Sequence, residues 1–181
     1  LVLGSAGEFP DLNEQERLDF FRFYAEYVNG RVELLAGTGC IRYADTLALS
    51  NAVYELGYTP MVISPYYFEM DQEKLFVYYD RLAKDVKGDL YLYNFPPRTG
   101  HSIAPETIRR LIDANPNIIG LKDSVSTPGH TNMVCRAVEG KPFTVYSGFD
   151  DQFLSNIANN GGGGCIGALS IIVPEIWSSL V

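Results

Sequence analysis

Histidine and cysteine are scarce in this 181-residue sequence, with two copies of the first and three of the second. Cys40, Cys135 and Cys165 are odd in number and far apart, which fits a reducing compartment better than a disulfide scaffold, so a cytoplasmic protein is expected. His101 and His130 have no metal-ligand partners at useful spacing, so no metal is expected, and both read as surface or capping residues. No apolar run approaches the roughly 20 residues of a membrane helix. Basic residues number 14 against 22 acidic ones, a formal charge of −8, and no Lys/Arg cluster forms. The electrostatic footprint of a nucleic-acid binder is therefore missing. A P-loop, a dinucleotide fingerprint and a nucleophile elbow are also absent.

What is present is an ordinary globular composition, 46% hydrophobic and 20% charged, which rules out intrinsic disorder. The length suggests one domain, residues 1–181, with a sizeable core and no internal linker. Leu1-Val2-Leu3-Gly4 already reads as a buried strand with no initiating Met ahead of it. A helix begun at Pro174 (Ile176, Trp177, Leu180) stops after about two turns. The sequence thus reads as a fragment of a longer chain.

Apolar runs of strand length begin near Leu1, Val32, Met61, Asp89, Ile118, Phe143 and Gly164. Helical patterns lie between them. Asn13 and Glu16 make a capping box ahead of Leu18, Phe21, Ala25 and Val28, and Gly30 closes that helix. Leu47, Ala48, Ala52 and Leu56 mark the next, ending at Gly57. Asp71 caps one bearing Leu75, Tyr78, Leu82 and Val86. Pro105 and Pro128 open two more, with Ile108, Leu111 and Ile112, then Met133, Val134 and Val138. A short helix with Phe153, Leu154 and Ile157 precedes Gly161-Gly162-Gly163-Gly164, which reads as a tight helix-to-strand turn. Alternation at this period means parallel strands joined by helical crossovers. The expected fold class is α/β, a (β/α)8 TIM barrel lacking its first strand–helix unit and C-terminal helices. An open flavodoxin-like sheet is the alternative.

In a parallel barrel the active site lies at the carboxyl ends of the strands. Of five lysines, Lys122 alone ends an apolar strand, Ile118-Ile119-Gly120-Leu121. Desolvation inside a barrel favours the neutral amine, the form that makes a Schiff base with a carbonyl. The bland alternative is a rim lysine paired with Asp123 or Asp150. Tyr93 ends the preceding strand, where its phenol could shuttle protons, although a strand tyrosine taken alone is core or rim packing. Arg98, on a loop stiffened by Pro96 and Pro97, could clamp a carboxylate, or stand solvated. Gly4-Ser5-Ala6-Gly7-Glu8 offers backbone N–H groups and a hydroxyl suited to a small carboxylate, or a plain tight turn.

These stretches, with Pro65-Tyr66-Tyr67, Tyr93-Asn94-Phe95-Pro96-Pro97-Arg98-Thr99-Gly100 and Ile119-Gly120-Leu121-Lys122-Asp123, occur in order. Together they resemble the dihydrodipicolinate synthase/N-acetylneuraminate lyase family of class I, pyruvate-dependent aldolases over essentially the whole sequence. The resemblance implies a barrel usually assembled as a homotetramer, or a dimer, with pyruvate and an aldehyde as substrates and no cofactor. It gives Lys122 the role of Schiff-base lysine, Tyr93 and Ser5 that of proton relay, and Tyr67 that of the tyrosine that completes the relay from a neighbouring subunit. Arg98 matches the arginine that, in the synthases, receives the carboxylate of aspartate semialdehyde. Ala6 stands where the family generally has a second hydroxyl. Gly148-Phe149-Asp150-Asp151 is closer to the sialic acid lyases and 2-keto-3-deoxygluconate-type aldolases, whose acidic residues hold sugar hydroxyls. Ala6, Arg98, Gly148, Asp150, Asp151 and Ile166 are therefore the expected substrate-binding residues. Two other readings remain: a barrel isomerase in which Lys122 acts only electrostatically, and a catalytically silent relative serving as sensor or assembly subunit.

Overall fold

A computed structural model describes residues 1–179, so Leu180 of the expected last helix lies outside the described residues. Six parallel strands, β1 (Leu34–Gly37), β2 (Tyr58–Ile63), β3 (Leu90–Asn94), β4 (Ile118–Asp123), β5 (Thr144–Ser147) and β6 (Gly162–Cys165), form one sheet in unbroken sequence order. A flavodoxin-like sheet reverses direction at a switch point, so this order excludes that alternative. The expected strand at Leu1 shrinks to a single bridge, Val2 against Ala36, because the chain turns away at once into a 3-10 turn over Ser5–Gly7. The glycine run is a turn only at its first residue: Gly161 closes the turn, with φ 90°, whereas Gly162, Gly163 and Gly164 belong to β6. A Cβ on Gly162 would lie 1.9 Å from the Asn156 carbonyl oxygen, and one on Gly163 2.2 Å from the Thr144 methyl carbon. Only hydrogen side chains let β6 sit this close to its neighbours.

Helices cover the outer face. α1 (Glu14–Val28) starts with the expected capping box, Asn13 Oδ1 accepting from the Glu16 N–H at 3.0 Å and Glu16 Oε2 from the Asn13 N–H at 2.8 Å. α2 (Tyr43–Glu55) buries Thr46, Leu49, Ser50 and Val53, whereas Ala48 is exposed. The expected face is out of phase by about one residue because two polar residues occupy the buried stripe. Thr46 Oγ1 accepts from the Cys40 N–H at 3.0 Å, and Ser50 Oγ shares a 2.8 Å hydrogen bond with Thr38 Oγ1. α3 (Gln72–Asp85), capped by Asp71 on the Lys74 N–H, buries Leu75, Tyr78, Tyr79 and Leu82. α4 (Pro96–Thr99) is a single turn where a loop was expected. α5 (Pro105–Ala114) and α6 (Pro128–Ala137) each begin at their proline, although Met133 points outward. α7 (Phe153–Ile157) and α8 (Pro174–Ser178) are short, and Trp177 packs edge-on to Phe153 at 5.3 Å. Among the described residues no helix is long and apolar enough to cross a membrane.

One irregularity decides which way Lys122 points. Leu90 pairs with Ile118 but Tyr91 pairs with Gly120, so β4 carries one extra residue, Ile119, opposite β3. Side chains alternate along a strand, and a one-residue insertion moves everything after it to the other face. Ile118 and Leu121 both join the cluster beneath the outer helices, with Leu90, Leu92, Ile108, Leu111 and Val134. Lys122 is thereby turned to the opposite face, in register with Tyr93. Tyr93 belongs to the second cluster, with Leu3, Phe9, Phe21, Ala36, Tyr58, Met61 and Ile63. Gly120 is required there, since its Cβ would lie 2.3 Å from the Tyr91 ring.

Candidate active site

At the carboxyl ends of the strands a cleft of about 580 Å³ opens between the amino-terminal segment and the loop after β6. Its lining includes Ser5, Ala6, Lys122, Cys165, Ile166 and Gly167. Lys122 is 7% exposed, and its Nζ stands 4.6 Å from the centre of the Tyr93 ring. The Tyr93 hydroxyl, on a side chain 3% exposed, shares a 3.1 Å hydrogen bond with Ser5 Oγ. Lysine, phenol and serine hydroxyl thus lie in a row although 88 residues separate Ser5 from Tyr93. A cation over an aromatic face is held by the ring quadrupole, so the Tyr93 ring seats the Lys122 ammonium.

The turn beside this row uses the N–H groups of Gly7 and Glu8, which donate to Gly4 and Ser5 carbonyls at 2.9 and 3.1 Å, and not those of Ser5 and Ala6. Neighbouring Cys165 is half-buried, and burial foremost, with the charge of Asp150, pushes its thiol up to about 11, so it stays protonated. A second crevice of about 390 Å³ adjoins the first through Ser5 and is lined by Glu8, Phe9, Asp11, Ile63, Tyr66 and Arg98. Burial raises the Tyr66 phenol above its ordinary 10, so its proton stays on in this wall. Arg98 is exposed, with its guanidinium 5.9 Å from the centre of the Phe95 ring.

The other candidates divide. Tyr67 is 74% exposed, packs against Phe68 at 4.9 Å, and does not reach the Tyr93 row within this chain. Gly148 contributes backbone: its N–H donates to the Asp123 carbonyl at 2.8 Å, and a Cβ there would lie 1.8 Å from Ser124 Oγ. Asp150 spends its carboxylate on the loop after β6, accepting from the N–H groups of Ala168 at 3.1 Å and Leu169 at 3.2 Å. It therefore holds the stretch that carries Ile166 and Gly167. Asp151 is exposed.

Both histidines depart from expectation. His101 is 7% exposed, with Nε2 2.8 Å from Ser64 Oγ and Nδ1 accepting from the Met70 N–H at 3.3 Å. It ties the end of β2 to the loop after α4. His130 bonds to Asp123, which the sequence offered only as a partner for Lys122. Asp123 is fully buried and turned toward α6, because successive residues of β4 face opposite ways. Polar residues just after a strand and at a helix start were the only available signal, and many surface residues share it.

The sequence model of the Dihydrodipicolinate synthetase family matches residues 1–181. YagE of Escherichia coli (strain K12), provisionally named a 2-dehydro-3-deoxy-D-gluconate aldolase, is 36% identical over 182 residues, 99% of this chain and 60% of its own. The 4-hydroxy-tetrahydrodipicolinate synthase of Kosmotoga olearia is 36% identical over 178 residues, 97% of this chain and 60% of its own. A crystal structure of YagE in complex with pyruvate superposes with a TM-score of 0.94 at 35% identity, covering 99% of this chain and 61% of that one. The chain thus spans about three-fifths of the length of these relatives.

Proposed function

Because the chain belongs to the Dihydrodipicolinate synthetase family, we propose that its protein is a pyruvate-dependent aldolase or lyase working through a Schiff base on Lys122. The observation that supports this most is the row of Lys122, Tyr93 and Ser5, a buried amine beside a phenol that is hydrogen-bonded to a second hydroxyl. Neutral Lys122 Nζ attacks the keto carbon of pyruvate. Protons delivered through Tyr93 and Ser5 let the carbinolamine hydroxyl leave as water, and a protonated imine results. That imine accepts the electron pair left when the methyl carbon gives up a proton, forming an enamine. The enamine carbon bonds to an aldehyde carbon, the aldehyde oxygen takes a proton, and water hydrolyses the product from the lysine. Run in reverse, the same steps cleave a 2-keto-3-deoxy acid. The pyruvate carboxylate is received by the Ser5–Ala6 turn, with Ile166 and Gly167 opposite.

The aldehyde enters by the crevice at Arg98, which with Asp151 selects it. Asp150, through its carboxylate, holds the loop that carries Ile166 and Gly167 in the first cleft, Gly148 ties its backbone to the end of β4, and no metal or organic cofactor takes part. Tyr67 acts from a neighbouring copy in a homotetramer or dimer, which accounts for an aromatic ring left 74% exposed. The complete protein is a (β/α)8 barrel of the cytoplasm, extending the six strands described above. The test is to incubate the full-length protein with pyruvate, reduce with borohydride and map peptides by mass spectrometry. A pyruvyl adduct on Lys122 alone is expected. An unmodified Lys122 in excess pyruvate overturns the mechanism and returns the isomerase or the silent relative.

A further inference from the structure

Directly behind Lys122, on the helix side of β4, the Asp123 carboxylate is 0% exposed and carries three hydrogen bonds. Oδ1 accepts from Asn94 Nδ2 at 2.8 Å, and Oδ2 lies 2.7 Å from the donating Thr131 hydroxyl and 2.9 Å from His130 Nδ1. The other ring nitrogen, Nε2, faces the Ile103 carbonyl at 3.2 Å. The Ser102 hydroxyl also lies 3.4 Å from Nε2, farther than the Ile103 carbonyl. A carbonyl oxygen only accepts, and so does an ionised carboxylate, so a ring bonded to both carries hydrogen on both nitrogens. A neutral imidazole carries one. Both bonds are made together only by the imidazolium.

We propose that His130 is a positioning residue for the reaction, its imidazolium clamping the active end of β4 to α6 and to the segment leading into α5 so that Lys122 stays seated against Tyr93. This rests on the role given to Lys122 above. The groups facing the ring are Asp123 from β4 and Glu106 from α5, and the Cys135 thiol of α6 is held protonated by burial and the Asp123 charge. Burial works against a charged ring here, but the Asp123 hydrogen bond and charge, the Ile103 carbonyl and Glu106 outweigh it and lift His130 above its ordinary 6.5. A raised value means that the clamp is complete below the unfolded-state pKa and is lost as pH rises through the folded-state one.

Two backbone bonds report on the clamp directly: the Ser124 N–H donates to the Asn94 carbonyl, and the Gly148 N–H to the Asp123 carbonyl, each at 2.8 Å. Hydrogen exchange at these amides, corrected for its intrinsic pH dependence, is followed across the His130 titration in the intact protein. Borohydride trapping of pyruvate on Lys122 is measured in the same samples. In the wild type, protection at both amides is expected to fall by about tenfold as His130 loses its proton, and the trapping rate, taken relative to that of His130→Gln at the same pH, to decline with it. His130→Gln is expected to start at the lower protection and lack that decline, and Asp123→Asn to move the ring's NMR titration back toward the ordinary value. Wild-type protection that stays constant through the titration, or a His130→Gln protein that keeps the pH-dependent drop, overturns the proposal while leaving Lys122 labelled. An unlabelled wild-type Lys122 overturns the Schiff base, and with it the reaction role of His130.

Discussion

Replacing Tyr93 with phenylalanine removes a single oxygen from the candidate relay and leaves the ring. The ring is 3% exposed and carries the 4.6 Å contact with Lys122 Nζ, so the substitution keeps the packing and the lysine's seat. It removes the 3.1 Å bond to Ser5, whose hydroxyl is half-buried and can turn to water. The stability cost is that of one ordinary hydrogen bond, about 0.5–1.5 kcal/mol. The effect on chemistry is larger, because proton transfer by a positioned group contributes roughly 10²–10⁴-fold. A 100-fold loss corresponds to about 2.7 kcal/mol of barrier. In the full-length protein, Tyr93→Phe is expected to slow exchange of the pyruvate methyl protons for deuterium, read by NMR, by at least about 100-fold. The borohydride-trapped adduct on Lys122 still accumulates, more slowly. An exchange rate within about threefold of wild type would refute the relay.

Other expectations follow from the same geometry. Arg98→Ala should raise KM for the aldehyde while leaving pyruvate trapping on Lys122 within about twofold, because Arg98 lines the adjoining crevice only; a matching loss of trapping would refute that division. Gly148→Ala places a methyl 1.8 Å from Ser124 Oγ and 3.0 Å from the Ser124 Cα, so the β4 end must move. Denaturant unfolding should show a loss of about 1–3 kcal/mol. Burial holds the His101 imidazole below its ordinary 6.5, so the unfolded chain takes up the proton first and stability declines as pH falls through 6.5 and below. Denaturation midpoints measured across that range should fall less in His101→Asn than in wild type.

Much of the scaffold could be read from local chemistry. Asn13, Asp71, Pro105 and Pro128 mark helix starts by hydrogen bonding or ring geometry that needs no tertiary context, and each stands where expected. Lys122 stood out as a lone charge closing an apolar run. Which face it would take was not legible, because that depends on the extra residue opposite Leu90 and Tyr91, a property of strand pairing that apolar periodicity does not carry. The phase of α2 was hidden for a related reason, since Thr46 and Ser50 are buried through partners elsewhere in the fold. Asp123 and His130 illustrate the same limit. Either residue alone suits a surface, and only the crossing of β4 with α6 makes them a pair.

Every strand of the sheet pairs with the strand that follows it in the chain. Each pairing closes over one strand–helix unit, and closure entropy grows only with the logarithm of loop length, so each addition meets much the same barrier as the last. Parallel pairing across a crossover is intrinsically slow, but the sequential order allows the sheet to be laid down in the order of synthesis. The row of Ser5, Tyr93 and Lys122 obeys a different schedule. It joins Ser5 to a tyrosine 88 residues later and then to the strand beyond, so a growing chain has most of its framework before Lys122 meets Tyr93.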